Sequence, residues 1–333
     1  MRTTPAVPRL PVGRTMVLAT TWVVTVGSSA VVLSSILGFT WGPTHAALQM
    51  VLPYYVLASS AALGVAVWFG RRRLAVVAGL TTVAVCTMMV PLAVGSNAAE
   101  GSGAATLDVY VANLRFDNPT PERAVDQALA SGADVLVLIE LTPAYVKLFH
   151  RRGADEHYPF QELDAARDTY GTGIFSRLPL REARVEKVGG IDMPTGAVRV
   201  GDRDVEVWGV HVGAPTGEGQ VQRWEWRLGQ LRRFATRLDG PTVIAGDFNA
   251  GRWHPAFRSL LERGVLRDAH EAVGRGLSSS WPMEGQGLRA LGPFTRLDHA
   301  LLHEVDVVGV RDLPAAGSDH RPFVVTLAVS TDP

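Results

Sequence analysis

Between Thr15 and Gly70 the chain carries no Asp, Glu, Lys or Arg. A water-facing surface does not form from so long an uncharged run. Hydrocarbon does accept it, provided the backbone satisfies itself in helices of about 20 apolar residues. Three segments meet that length: Met16–Phe39, Ala46–Phe69 and Leu74–Val94. Pro53 and Pro91 fall near helix ends or kinks, which are tolerated where neighbouring helices cover the freed carbonyls. The competing reading is a secretory leader followed by a buried helical hairpin. A leader's apolar core is only about 7–15 residues, and two more spans would not follow it. Residues 1–95 are therefore expected to form three transmembrane helices.

The arginines give the direction. Arg2, Arg9 and Arg14 precede the first segment, and Arg71, Arg72 and Arg73 separate the second from the third. The loop Thr40–His45 has neither Lys nor Arg. Basic residues stay cytoplasmic. The sequence thus predicts a multi-pass plasma-membrane protein with a cytoplasmic N-terminus and an extracytoplasmic domain after Gly95. The single cysteine, Cys86, lies in the third segment and leaves no intrachain disulfide.

Gly95–Ala105 is small and polar and reads as a flexible linker, 96–105, ahead of a domain covering 106–333. Strand-like runs follow at Leu107–Ala112, Asp134–Ile139, Gly173–Phe175 and Val205–His211. Others lie at Thr242–Ala245, Ala300–Leu302 and Phe323–Val329. The unbroken apolar run of Asp134–Ile139 is expected of a strand covered on both faces. A helix starts near Thr120, with Pro121 in its first turn. Gln222–Leu238 places Leu228, Leu231, Ala235 and Leu238 on one helical face. Several strands follow one another without a helix between them, so the pattern is α/β with mixed sheets.

Polar residues gather where the apolar runs stop. Asn113 and Glu140 follow the first two strands, and His211 ends a third. Asp247 and Asn249 follow the run at 242–245; Asp298 precedes that at 300–302, and Asp319–His320 stands before the last strand. Carboxylates and an Asn are hard oxygen donors, suited to Mg²⁺, Mn²⁺ or Ca²⁺. No Cys/His spacing for zinc, no phosphate-cradling Gly-rich loop with Lys-Ser/Thr and no Gly-x-Ser-x-Gly elbow is present. Singly, such residues are more often turn formers or helix caps than ligands. Their joint order carries the signal.

That order resembles the endonuclease/exonuclease/phosphatase superfamily. The matching segments are VANLRF around Asn113, DVLVLIE ending at Glu140, GTGIFSR at 171–177 and HVGAP at 211–215. GDFNA at 246–250, RLD at 296–298 and SDHRP at 318–322 complete the series. The resemblance implies a four-layer α/β sandwich, two mixed β-sheets flanked by helices, here preceded by three transmembrane helices. It also implies in-line attack of water on phosphorus. Glu140 matches the principal metal ligand, with Asn113 and Asp319 assisting. Asp247 matches the residue that orients or deprotonates the water, and Asn249 the one that holds that water or a phosphate oxygen. His320 matches the donor to a non-bridging oxygen, Asp298 the group that fixes its tautomer, and His211 a second histidine that can act as acid. Two positions depart from the pattern: Ile139 replaces the usual Gln before the metal-binding Glu, and Leu178 replaces a Glu after FSR.

Three functions compete. The first is a divalent-metal-dependent phosphoesterase acting on a membrane-proximal phosphodiester or phosphomonoester, such as a phospholipid or lipid-linked phosphate. The others are an extracytoplasmic nuclease and a catalytically dead binding module. From Glu100 onward there are 32 acidic and 26 basic residues, a net charge of −6, with only Lys147 and Lys187 as lysines. Nucleic-acid affinity depends on cations neutralising phosphates, so charge disfavours the nuclease. Arg223, Arg227, Arg232, Arg233 and Arg237 are read mainly as a solvated helix face interleaved with Glu225 and Asp239. Trp281 could line a cleft, and Trp224 and Trp226 could face lipid, although aromatics in such places more often pack. The filled set of polar positions disfavours the dead module.

Overall fold

The computed structural model describes residues 12–95, 104–217, 219–284 and 290–329. Most of the expected linker, 96–103, lies outside the described residues. Four helices come first: α1 (Val12–Leu37), α2 (Pro43–Met50), α3 (Tyr55–Trp68) and α4 (Arg72–Val94). By length and composition, α1 and α4 are each apolar enough to cross a membrane. A third span exists only if α2 and Leu52–Trp68 count as one, and these are bent by 59°. The segment Ala46–Phe69 is thus not one straight helix. A single 3₁₀ turn at Leu52–Tyr54 interrupts it, with Pro53 supplying no amide hydrogen to continue the ladder.

The chain forms two compact units. One joins the chain up to Phe39 with Val51–Met89; the other joins Thr40–Met50 with everything from Val90 onward. Inside the first unit hydroxyl pairs link the helices. Ser29 Oγ and Thr81 Oγ1 are 2.7 Å apart, and Thr82 Oγ1 donates to Ser59 Oγ at 2.8 Å. Small polar side chains suit helix contacts in lipid, where no hydrophobic force separates helix from solvent.

The second unit opens with β1 (Ala105–Asn113), α5 (Pro121–Ala130), β2 (Val135–Ile139), α6 (Pro143–Arg151) and α7 (Ala154–His157). A run of strands follows: β3 (Phe160–Asp164), β4 (Thr172–Ser176), β5 (Arg181–Val188), β6 (Ile191–Val200) and β7 (Arg203–His211). Then come α8 (Gln220–Ala235), β8 (Thr242–Asp247), α9 (Pro255–Arg258), β9 (Arg267–Asp268) and α10 (Ala269–Ala272). The last strands are β10 (Asp298–His303), β11 (Asp306–Asp312) and β12 (Phe323–Val329).

These strands make two six-stranded sheets, in the orders β11-β12-β1-β2-β4-β3 and β5-β6-β7-β8-β10-β9. Both are mixed, because β1 runs parallel to β2 and β7 parallel to β8 while their other pairings are antiparallel. The strand period of two explains the layers. Val135, Val137 and Ile139 point into the core between the sheets, with Val207, Val243 and Ala245 from the other sheet. Leu136 and Leu138, from the same strand, face outward under Phe149 and Tyr145 of α6. On the far side Trp208 and Ile244 pack beneath Trp224, Leu228 and Leu231 of α8. Each Val, Leu, Ile or Phe among them stabilises the fold by about 1.5–3 kcal/mol when fully buried. The four-layer sandwich expected from the resemblance is the architecture observed.

Candidate active site

Register between neighbouring strands assembles the site. In the parallel pair β1–β2, Asn113 stands opposite Ile139, so the next residue, Glu140, emerges beside it. In the second sheet Asp247 ends β8 opposite His211 of β7 and opposite Asp298 of β10. Three polar side chains thus lie abreast at one sheet end. The two sheets bring their ends together: Asn113 Nδ2 donates to Glu140 Oε1 and to Asp247 Oδ2, each at 3.0 Å. Gly246 is required just before Asp247, since its φ is 146° and a Cβ there would fall 2.1 Å from the Val210 carbonyl oxygen.

Two site residues hold left-handed backbone, Glu140 at φ 58° and Asn249 at φ 46°. Non-glycine residues adopt this conformation uncommonly, and Asn more readily than Glu. Hydrogen bonds fix both turns. Glu140 Oε2 accepts from the Phe116 amide at 2.9 Å, and the Asn249 amide donates to Asp247 Oδ1 at 2.8 Å.

His320 and Asp298 form a buried pair, with His320 Nδ1 donating to Asp298 Oδ2 at 2.8 Å. Ser280 Oγ donates to the same oxygen at 2.6 Å. Burial opposes charge on the imidazole, but Asp298 and Asp247 beside it prevail and push its pKa up to about 10. Burial would likewise raise Asp298, yet the His320 charge and the hydrogen bonds it accepts hold it below the ordinary carboxylate value. Asp247 behaves differently. Burial outweighs the pull of the His320 charge and raises it to about 6. Its Oδ2 lies 3.8 Å from His320 Nε2 and 3.8 Å from His211 Nε2.

His211 is oriented from behind, its Nδ1 donating to the Thr169 carbonyl at 2.7 Å. Its Nε2 faces Asn249 Nδ2 at 3.3 Å and accepts from it. Asp319 accepts from Trp281 Nε1 at 3.2 Å. All eight residues singled out in the sequence therefore surround one region, and Glu140, His211, Asp247, Asn249, Asp319 and His320 line a single cleft of about 650 Å³.

Two groups of side chains here offer themselves to a cation. Ligand atoms of Asp247, Asp298 and His320 lie within 4.8 Å of one another. In that group, however, His320 Nδ1 and an Asp298 oxygen are already engaged with each other. The second group is Glu140 and Asp319, which both line the cleft, with Asn113 beside Glu140 and its Oδ1 accepting from the Arg115 amide at 2.9 Å. There the Asn113 amide nitrogen bridges two carboxylates, Glu140 and Asp247, that would otherwise repel. A site with that excess of hard anionic oxygen fits a divalent cation of the Mg²⁺, Mn²⁺ or Ca²⁺ type.

Sequence reasoning missed several contributors. Ser280 supports Asp298, although it lies 18 residues away and carries no motif. Arg223 and Arg227 line the cleft instead of belonging to a wholly solvated face, and neither has an acidic partner among the described residues. Pro43, Ala46, Ala47 and Met50 of α2 line it too. Trp281 does line the cleft. Trp224 cannot face lipid, because it is buried with Nε1 donating to the Phe248 carbonyl at 3.3 Å; Trp226 is exposed. At the two departures, Ile139 is buried in the core between the sheets and Leu178 packs against that core.

Residues 111–320 match the sequence profile described as the Endonuclease/Exonuclease/phosphatase family. The chain belongs to that family. Members of the family are hydrolases acting on phosphoesters. Solved structures agree on the fold. TDP2 of D. rerio, humanized by 14 mutations, is 18% identical, with 67% of this chain and 99% of that chain covered at a TM-score of 0.56. A family member from Beutenbergia cavernae is 20% identical, covering 68% and 72% at a TM-score of 0.51. One from Bacteroides thetaiotaomicron is 15% identical, covering 68% and 96% at 0.52. At such identities the likeness establishes the fold alone. No curated protein matches the chain in sequence.

Proposed function

We propose that the chain is a divalent-metal-dependent phosphoesterase that hydrolyses a phosphodiester or phosphomonoester at or near a membrane, such as a phospholipid or lipid-linked phosphate. The observation that carries this reading is the position of Asp247. One of its oxygens accepts from the amide that also holds Glu140, and lies 3.8 Å from the imidazole that Asp298 keeps charged. A proton acceptor, a cationic donor and a ligand carboxylate thus converge on one cleft.

The residues divide the work as follows. Asp247, raised to about 6, accepts the proton of the attacking water as the new P–O bond forms. Asn249 orients that water or a phosphate oxygen. His320, protonated at neutral pH, donates from Nε2 to a non-bridging oxygen where charge accumulates. Glu140, with Asn113 and Asp319, would hold the cation, which supplies neutralisation of phosphate and leaving-oxygen charge when bound. His211, whose Nε2 faces Asn249 in the cleft, would serve as acid to the leaving oxygen.

Chain connectivity supports the membrane reading. α2 and the residues from β1 onward belong to one compact unit, and His254 Nε2 donates to the Ala46 carbonyl at 3.1 Å. The chain leaving α2 must then recross whatever it crosses before β1. If α4 spans, Leu52–Trp68 spans as well, at about 1.5 Å per residue close to the shortest workable length. With the arginine asymmetry, this supports the reading of a cytoplasmic N-terminus and an extracytoplasmic catalytic domain at the plasma membrane.

A nuclease is the second reading, favoured by Arg223 and Arg227 in the cleft. The test is hydrolysis by the full chain of bis-p-nitrophenyl phosphate, phospholipids and plasmid DNA, each with EDTA and with Mg²⁺, Mn²⁺ or Ca²⁺. Loss in EDTA and recovery with one of these cations supports the reading. Full activity in EDTA would sink it.

A further inference from the structure

The cleft has a wall that does not come from the catalytic fold. Pro43, Ala46, Ala47 and Met50 of α2 line it on one side, and Arg223 and Arg227 of α8 line it elsewhere. α2 is not a passing loop. Its Ala46 carbonyl accepts from His254, whose Nδ1 in turn accepts from the Gly251 amide at 3.0 Å, just beyond the Asp247–Asn249 turn. The His254 ring is fully buried and stacks edge-on against Trp224, with centroids 5.1 Å apart. The helix is therefore fastened to the loop that carries the site.

The position of α2 in the chain says what this wall meets. Gly38–Gly42 alone separate it from the apolar helix α1, and Val51 alone from the segment Leu52–Trp68. In the chain, α2 is thus joined by very short links to segments apolar enough to cross a membrane. If those segments span, an apolar wall joined to them by such short links suits a lipid chain. The arginines supply the complement. Arg227 Nη1 lies 3.0 Å from where a Cβ on Gly213 would be, two residues beyond His211, and it has no acidic partner among the described residues.

We propose that α2 and the Arg223–Arg227 pair are the specificity elements of the cleft, and that the substrate is an amphiphile with an anionic head. Its scissile phosphate lies at Asp247 and His320, the charge of its head meets the two guanidinium groups, and its chain lies along Pro43, Ala47 and Met50. This inference rests on the phosphoesterase reading above and adds which part of the substrate each wall recognises.

Binding without turnover tests it separately from that reading. The probes are butyl-, octyl- and dodecylphosphonate, whose P–C bond water does not displace, titrated calorimetrically with Mg²⁺ into the full chain in lipid nanodiscs. In the wild type the dissociation constant should fall with chain length, by up to about fourfold per buried methylene. Ala47 is exposed, so Ala47→Arg puts a charge on the wall without disturbing packing. It should flatten the series. Arg227→Ala should weaken every probe by a similar factor, about tenfold, and keep the slope. An unchanged thermal unfolding midpoint shows that each variant is folded. Partition into the disc is the same for all three proteins. Equal slopes in wild type and Ala47→Arg would overturn the role of α2, and unaltered affinities in Arg227→Ala would overturn that of the arginines. Neither result bears on whether phosphoesters are hydrolysed.

Discussion

His320 and Asp298 stand on different segments, 22 residues apart, yet their side chains meet at 2.8 Å inside the protein. Asp298 is positioned by its register with Asp247, and His320 by the Ser318 hydroxyl, which accepts from its amide at 3.1 Å. In the proposed mechanism the pair acts as one cationic donor. Removing the ring with His320→Ala should lower kcat by about 10²-fold or more, with little change in KM. Asp298→Asn should be milder, since the ring remains while its charge support is lost. In the double variant the losses should fall short of multiplying, because the residues work as a unit. Steady-state rates on bis-p-nitrophenyl phosphate check this. Fully multiplicative losses would break the pairing.

His254 gives a pH prediction away from the reacting groups. Burial holds its pKa down at about 4, against 6.5 for a free imidazole. The folded state thus favours the neutral ring, in which Nδ1 accepts from Gly251 and Nε2 donates to Ala46. Its contribution is full above pH 6.5 and is lost as pH falls towards 4. The whole swing is about 3 kcal/mol. Across that window the wild type should lose stability relative to His254→Gln, which keeps a donor for Ala46 and does not titrate. Parallel pH curves from thermal unfolding of the two proteins would contradict this.

Much of the fold was legible because burial on both faces leaves an unmistakable mark. Val135–Ile139 and Thr242–Ala245 are continuous apolar runs, and both are central strands. Edge strands carry no such mark. The edge strand Arg181–Val188 is mostly exposed and polar; its inner neighbour Ile191–Val200 is disguised differently, by Pro194 and Gly196, so neither reads as a strand from sequence. The site residues were legible through their order at strand ends, each being weak alone. The remainder depends on distant segments meeting. Nothing local to Ser280 tells that it faces Asp298, and nothing in an arginine-rich helix tells which turn overlooks the cleft. α2 was hidden for another reason. Ala46–Met50 is apolar enough to extend the following span, and only the buried Gln49 and the nearby Pro53 hint at a separate helix.

The proposed topology rests on the arginines and on the shared unit of α2 and the two sheets. A reporter fused after Pro333 should be active when it requires the extracytoplasmic side and silent when it requires the cytosol. The reverse pattern would contradict the orientation, and with it the proposed location of the substrate.

The most direct test of the account is Asp247→Asn in the full chain. The substitution keeps size and leaves an oxygen to accept from Asn113, while removing the group that takes the proton. With Mg²⁺ present, kcat on bis-p-nitrophenyl phosphate should fall by about 10²-fold or more, with KM and the thermal midpoint near wild type. Wild-type kcat in that variant would contradict the account, because the catalytic group would then have to lie elsewhere.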